Sequence, residues 1–423
     1  MGSDIVTKFN SAKAWTVVLF GSLFFFYLFI QMNMFNTLSD SVEQSFNMTA
    51  FQLGLVAAFY LLTDSVLLYP VGVLSDRFSS RKLLIFGMSM CIISPTIMGL
   101  ANNAWLIVIA RIFEGTAAAF CLLSILRLAA QWFPAEKMSQ VSGVVVAIGM
   151  LGGVVSQTPL AYLVVRVGWR SALFCVSGLG VLILIAIILT VKDASKEVRF
   201  SALQEKYNRY GLLQSLNIII RNKNNWFIGF YACTMNLPIM ILAGLFGRQY
   251  MMQARGLDAI KSSSVCMMIF IGTIVGSVVF GFITDWAKNR KIPMLFAAII
   301  ALAIILAIMY LPTKTYLFYL VIFFLLGFFG AAQIICYAVT RESNKSILVG
   351  SALGFVGVII MGISALLQPL TGWLINLTWS HKLIKGIPAY SINDFNHGLI
   401  ILVIGFVVSI MCVLLLPETY GHH

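Results

Sequence analysis

Three ionisable side chains fall inside long apolar segments of the sequence: Asp64, Arg111 and Glu114. Charges in an apolar medium are costly and usually mark function. Asp64, in the stretch YLLTDSVLLYP, has no sequence neighbour that could neutralise it. Asp64 and Glu114 are therefore candidate proton-coupling groups that bind and release protons. The alternative for Asp64 is a buried carboxyl that is hydrogen-bonded only to complete the packing.

Arg111 and Glu114 are three residues apart, which places them on one face of a helix. They can neutralise each other as a purely structural pair. In the alternative interpretation, Arg111 binds a substrate carboxylate or exchanges partners between Glu114 and Asp64. The spacing leaves both interpretations open.

The composition identifies the scaffold of these residues as a set of membrane-spanning helices. Of 423 residues, 60% are hydrophobic and 10% are charged, whereas roughly a quarter are charged in a soluble domain. Apolar runs of about 20 residues can cross the hydrocarbon layer, where backbone groups must be satisfied within a helix. The chain has twelve such runs, starting near residues 14, 51, 83, 105, 141, 172, 226, 262, 292, 316, 348 and 398.

The distribution of Lys and Arg predicts the orientation of these helices. If the N-terminus lies inside, the inner segments hold 19 of the 28 Lys and Arg, and the outer segments hold 8. This bias predicts that both termini are cytoplasmic. The net charge of +13 then reports topology, and no basic tract with interleaved aromatic residues favours a nucleic-acid partner.

Cysteine and histidine offer little chemistry. All seven cysteines fall in predicted helices without Cys-x-x-Cys spacing, so packing is a simpler interpretation than disulfide or metal chemistry. His381 and His397 lie outside the predicted helical cores. We expect no metal site and no cofactor. The sequence also contains no pair of a nucleophile and a base that would indicate an enzyme.

One loop sequence occurs twice, 209 positions apart: GVLSDRFSSRK at 72–82 and GFITDWAKNRK at 281–291. A second pair of similar segments is SQTPLAYLVVRVGW at 156–169 and LLQPLTGWLINLTW at 366–379. Such spacing indicates an internal repeat.

The repeat divides the chain into three parts. We predict a six-helix bundle over residues 1–191, a cytoplasmic linker with an amphipathic helix over 192–225, and a second six-helix bundle over 226–423.

The repeated loop resembles the signature of the major facilitator superfamily, Gly-x-Leu-Ala-Asp-Arg-x-Gly-Arg-Lys, and ARIFEGTAAA resembles its fourth-helix Arg-x-x-x-Gly pattern at Arg111 and Gly115. Strings such as LRLAAQWFPAEKMSQ and the closing PETYG resemble the bacterial phagosomal nutrient transporter branch, whose members take up amino acids or nucleosides. The resemblance implies a bacterial inner-membrane location. It also implies two pseudo-symmetric bundles that open a central site alternately to each side.

The aspartates of the repeated loop suggest a latch. Asp76 lies at the cytoplasmic end of a helix, where Arg81 or the other half could form a charge-assisted hydrogen bond with it. The positive-inside bias alone would explain Arg81 but not the placement of the aspartates. The expected gating residues are Gly72, Asp76, Arg81, Gly281, Asp285 and Arg290.

Uncharged polar residues recur on the helices that line the cavity in this superfamily, although polar side chains also join helices to one another. The candidate substrate-binding residues are the uncharged Tyr27, Gln31, Asn236, Gln333 and Tyr337, together with the charged Arg111.

These features predict a secondary transporter, a monomer that imports a small polar nutrient such as an amino acid together with protons. The alternatives are a proton antiporter that exports a drug or siderophore, and an importer of a nucleoside or organic acid. Exporters of the superfamily often carry Gly-x-x-x-Gly-Pro-x-x-Gly-Gly on helix five. Here Pro159 comes late and no Gly pair follows it, which favours import. No sequence feature supports a membrane-embedded enzyme or receptor.

Overall fold

The computed structural model describes residues 11–133, 137–193, 212–311, 315–345, 348–384 and 387–420. Within them lie twelve helical spans that are long and apolar enough to cross a membrane. This confirms the predicted all-α membrane protein. The last span begins at Ile392, earlier than expected, so His397 lies in its second turn rather than before it.

The first half of the chain contributes six spans, of which the fifth is broken into two helices. They are α1 (Ser11–Phe46), α2 (Ala50–Arg77), α3 (Ser80–Leu100), α4 (Ala104–Trp132), α5 with α6 (Met138–Ser156 and Thr158–Val167) and α7 (Trp169–Thr190).

The second half contributes six more spans, preceded by a short helix, α8 (Leu212–Arg221). The amphipathic segment predicted around residues 200–210 lies outside the described residues. The seventh span joins α9 (Lys223–Leu237), a π-helical stretch (Pro238–Phe246), α10 (Gly247–Gln249) and a second π-helical stretch (Tyr250–Ala254). The remaining elements are α11 (Ala259–Ala287), α12 (Lys291–Tyr310), α13 (Tyr316–Gly330), a 3₁₀ stretch (Ala331–Ile334), α14 (Ile335–Glu342), α15 (Val349–Leu377), strands β1 (Leu383–Ile384) and β2 (Ile387–Pro388), and α16 (Ile392–Leu415).

Proline accounts for two of the irregular spans. Pro159 lies in the first turn of α6, where its missing N–H is tolerated, and the chain breaks between α5 and α6 at Gln157. Pro238 opens the π-helical stretch of the seventh span. Such stretches are rare and often lie at functional sites.

Because the spans alternate in direction, their ends lie on two faces of the molecule. We call the face that carries both chain ends the terminal face and the opposite one the distal face. The halves meet closely near the distal face: a Cβ atom on Gly372 in α15 would lie 2.3 Å from the carbonyl oxygen of Ala50 in α2. Each hydrogen bond between the halves that the structure describes also lies on the distal side. The described contacts therefore seal the distal face.

Candidate functional site

The charged residues of the first half lie where α2 and α4 pack most closely. A Cβ atom on Gly115 would lie 2.4 Å from the carbonyl oxygen of Tyr60, so this approach requires glycine. One turn before Gly115, the close approach presses Arg111 against α2, where its Nη2 lies 3.5 Å from the carbonyl oxygen of Ala57.

Arg111 and Glu114 form a buried ion pair. Nη1 of Arg111 donates to both carboxylate oxygens of Glu114, at 2.9 and 2.8 Å. The side chains are 2% and 0% exposed. The Arg111 guanidinium also lies over the rings of Phe35 and Tyr60, with 4.9 and 5.0 Å to their centroids. These contacts give the buried cation a counter-ion and two aromatic faces, which lower the cost of burying it.

Ser94 supplies one further contact to the ion pair from α3. Its hydroxyl donates to Oε2 of Glu114 at 3.4 Å. The Nε atom of Arg111, by contrast, has no hydrogen-bond partner among the residues described. One donor of this guanidinium is therefore still available to another acceptor.

Asp64 lies on α2 and is only 6% exposed. Its Oδ1 atom has no hydrogen-bond partner, and the carboxyl forms no ion pair, within the described part of the chain. The site thus holds one carboxylate that is neutralised and one carboxyl that is not. A carboxyl with no counter-ion in apolar surroundings can take up and release a proton without disturbing the neighbouring ion pair.

The two polar candidates on the first span contact other helices of the same half. The hydroxyl of Tyr27 donates to the carbonyl oxygen of Val176 in α7 at 3.0 Å. Nε2 of Gln31 donates to the carbonyl oxygen of Cys91 in α3 at 2.8 Å. Both side chains hold α1 in place, and only Gln31 keeps a buried atom, Oε1, without a described partner.

The second half pairs two of its three predicted substrate-binding residues. Nε2 of Gln333, in the 3₁₀ stretch of the tenth span, donates to Oδ1 of Asn236 in α9 at 3.1 Å. Tyr337, one turn later, is 55% exposed and is not joined to Gln333 by a described hydrogen bond. The structure therefore brings Asn236 and Gln333 together and leaves Tyr337 apart.

Sequence reasoning missed a second set of buried charges, which lies between the halves near the distal face. Nη1 of Arg248 in α10 contacts Oδ2 of Asp40 in α1 at 2.5 Å. Beside it, Nε2 of Gln249 donates to Oε2 of Glu43 at 2.6 Å. Because α1 continues to Phe46, Asp40 and Glu43 belong to a helix rather than to an outer loop. Their i, i+3 spacing directly after an apolar run was the signal that could have revealed them.

An amide network lies next to these charges. Nδ2 of Asn36 donates to Oε1 of Gln157 at 2.9 Å, and Oδ1 of Asn36 accepts from the backbone N–H of Arg248 at 3.0 Å. Nε2 of Gln157 also donates to the carbonyl oxygen of Ala243, in the π-helical stretch, at 3.0 Å. The network ties the break between α5 and α6 to the seventh span of the other half.

The similar segment at 366–379 has a glutamine at the corresponding position, and this glutamine contacts the same π-helical stretch. Nε2 of Gln368 in α15 donates to the carbonyl oxygen of Met240 at 3.0 Å. The repeated Gln side chains therefore both donate to carbonyl groups in the irregular part of the seventh span.

The repeated loops on the terminal face bind the end of the last span of their own half or the segment that follows it. In the first loop, the backbone N–H of Arg81 donates to Oδ1 of Asp193 at 3.3 Å, and Nη2 of Arg81 donates to the carbonyl oxygen of Ile188 at 2.7 Å. In the second loop, the backbone N–H groups of Arg290 and Lys291 donate to Glu418 at 3.0 and 3.1 Å.

The side chain of Arg290 makes a further contact within its half. Its Nε and Nη2 atoms donate to Oε1 of Glu342, at the end of α14, at 3.2 and 2.9 Å. Gly281 has open space where a Cβ atom would lie. The surroundings of Gly72, Asp76 and Asp285 lie outside what the structure describes. The latch therefore stays a prediction.

Glu418 is held by backbone groups. Burial by itself raises the pKa of this carboxyl, but four backbone N–H groups donate to it and together lower its pKa below the ordinary value. The donors belong to Arg290, Lys291, Thr419 and Tyr420.

Comparison with known proteins gives a family match and relatives that align over most of the chain. The family model described as Major Facilitator Superfamily matches residues 19–369. The membrane sensor protein UhpC of Escherichia coli (strain K12) is 25% identical over 353 residues, which cover 78% of each chain. A probable L-galactonate transporter of the same organism is 22% identical over 364 residues, covering 81% of this chain and 79% of the relative. A crystal structure of a bacterial homologue of the human lysosomal transporter Spinster, in an inward-facing and unoccupied conformation, superimposes with a TM-score of 0.75 at 15% identity and covers 96% of both chains.

Proposed function

The chain belongs to the major facilitator superfamily, and on this premise we propose that it imports a small polar nutrient, such as an amino acid, together with protons. The general activity of the family is secondary transport of a small molecule, and we assign this activity to the present multi-pass membrane protein. The nutrient class, the direction of transport and the use of protons belong to the proposal.

The observation that supports the proposed proton coupling is the environment of Asp64. The carboxyl is buried beside an ion pair that is already complete, and its Oδ1 atom has no described partner. Taking up a proton removes the cost of a buried charge, and releasing it restores that cost. The two forms of Asp64 therefore favour different packing of α2 against its neighbours, which is what coupling requires.

The sealed distal face suggests how the cycle is arranged. With cytoplasmic termini, the terminal face is the inner face, and the described contacts between the halves close the outer side. We assign the substrate to the space between the halves, near the Asn236–Gln333 pair. The orientation can be tested with a membrane-impermeant thiol reagent, which should reach Asn102→Cys only from outside.

Purified protein in proteoliposomes tests the proposal. A thermal-shift panel of amino acids, nucleosides and organic acids first selects a ligand. A gradient of one pH unit supplies about 1.4 kcal/mol per proton, enough for about tenfold accumulation of a neutral substrate at one-to-one stoichiometry. Asp64→Asn keeps the size of the side chain but cannot release the proton. It should abolish accumulation driven by pH and should leave exchange at equal concentrations largely intact.

Asp258→Asn is the matched control, because Asp258 is an exposed carboxyl at the start of α11. It should accumulate substrate as the wild type does. Accumulation that survives in Asp64→Asn contradicts coupling through this carboxyl. Binding with neither accumulation nor exchange in the wild type would instead indicate sensing, as the name of the membrane sensor protein UhpC suggests for that relative.

A second candidate is an importer of an organic acid. It is favoured by the similarity to the probable L-galactonate transporter and by the free Nε atom of Arg111, which could bind a substrate carboxylate. The same ligand panel distinguishes the two candidates, since only the second predicts that sugar acids stabilise the protein better than amino acids do.

A further inference from the structure

The contact between Glu43 and Gln249 leaves two buried atoms unsatisfied. Nε2 of Gln249 donates to Oε2 of Glu43. Oε1 of Glu43 and Oε1 of Gln249 both lack a hydrogen-bond partner among the described residues. Both side chains are 0% exposed. Two acceptors on the same pair of side chains thus lack a donor.

One proton would satisfy both atoms. A protonated carboxyl is a donor as well as an acceptor. A carboxylic acid and a primary amide can therefore exchange two parallel hydrogen bonds, of which the structure already contains one, from Gln249 to Glu43. With Glu43 ionised, a buried acceptor on each side stays unpaired, which destabilises the closed contact.

No ion pair among the described residues neutralises Glu43. The nearest carboxylate, Asp40, lies on the same helix face and takes the cation of the cluster, Arg248. Tyr390, from the loop before α16, is a further titratable group near Glu43. Burial raises the pKa of its phenol, so it stays neutral at ordinary pH. An ionised Glu43 would therefore face a second carboxylate with no cation of its own.

The position of this contact links the proton to the conformation. Glu43 belongs to α1 of the first half and Gln249 to α10 of the second half, near the sealed distal face. When the halves separate there, water can solvate both side chains and the ionised form of Glu43 loses its penalty. Closing the face removes that water.

We propose that Glu43 binds a proton when the halves close at the distal face, and that this proton joins it to Gln249 across the interface. The inference rests on the proposed alternating-access cycle but does not depend on Asp64. Acid on the distal side then favours closure, because the closed state binds one more proton than the open state.

Spin labels on the distal face test this without substrate or gradient. Asn102→Cys and Lys382→Cys introduce exposed thiols in the two halves, and Cys175→Ser removes the exposed native cysteine. In nanodiscs, the ratio of short to long distances between the two spin labels should rise about tenfold or more from about pH 8 to about pH 5. In Glu43→Gln the same ratio should rise by less than about twofold. The isosteric Glu43→Gln should hold the face closed throughout.

Asp40→Asn is the control for the neighbouring ion pair. It should lower the closed fraction at both pH values and weaken the acid-induced rise, because it removes the second carboxylate and leaves Arg248 without its present anion. A rise that persists in Glu43→Gln, or that is absent from the wild type, overturns the proposal.

Infrared difference spectra between the two pH values provide a second readout. They should contain the band of a protonated carboxyl that Glu43→Gln removes. Neither measurement uses transport, so failure of the proposed import leaves this test intact.

Discussion

In the first half, α2 and α4 bury Asp64 and the Arg111–Glu114 ion pair. In the second half, the seventh and tenth spans hold a partly buried amide pair, Asn236 with Gln333. The internal repeat has thus preserved the six-helix arrangement while the buried chemistry has diverged. Of these two buried sites, the one in the first half holds charged groups, whereas the one in the second half holds neutral hydrogen-bonding groups.

The loops of the terminal face show the opposite pattern. Arg81 with Asp193 and Arg290 with Glu418 use the same contact, a backbone N–H at the start of the third span of each half donating to an acid after the last span. Both halves need this contact to hold their own helices together. The buried polar groups, by contrast, differ between the halves.

The strongest test of the difference between the halves is Glu114→Gln. It leaves the Arg111 guanidinium buried without a counter-ion, which is expected to cost about 3–5 kcal/mol. We expect a clear fall in apparent melting temperature in detergent. Gln333→Leu, which removes only a neutral partner from the second half, should lower it far less. Equal losses in the two variants would contradict this difference between the ion pair and the amide pair.

A smaller effect is expected on substrate binding. If the amide pair contacts the substrate, Gln333→Leu should weaken apparent affinity by about tenfold or less, the worth of one hydrogen bond. The response of the remaining transport to the pH gradient should be unchanged, because Asp64 is intact. The measurement is uptake at varied substrate concentration, with and without the gradient. Loss of the gradient response in this variant would place part of the coupling in the second half.

The smallest effect concerns Glu418 at the terminal face. Its pKa is lower in the folded protein than the ordinary value of 4.5. The corresponding stability is present above the unfolded pKa and is lost as the pH falls through the folded pKa. Because the carboxylate is partly exposed, we expect Glu418→Gln to cost about 0.5–1 kcal/mol near neutral pH. Thermal unfolding of both proteins at neutral and acidic pH should show the difference shrinking in acid, and a constant difference would contradict it.

The sequence by itself determined the scaffold and the first-half charges. Length and hydropathy of each run specify a spanning helix, because lipid forces the backbone to satisfy its hydrogen bonds locally. Asp64, Arg111 and Glu114 were recognisable because any charge within such a run is exceptional. The pairing of Arg111 with Glu114 is a contact within one helix, which spacing alone can suggest.

Only the tertiary structure decided which polar groups meet across helices. Tyr27 contacts Val176, and Asp40 contacts Arg248, through helices far apart in the chain. Hydropathy failed at Asp40 and Glu43 because charges near the end of a run look like the start of a loop, although the helix continues to Phe46. A local pattern fixes the face of a helix on which a residue lies, but its partner depends on how distant helices pack, and that packing is set by many apolar contacts and close glycine approaches acting together.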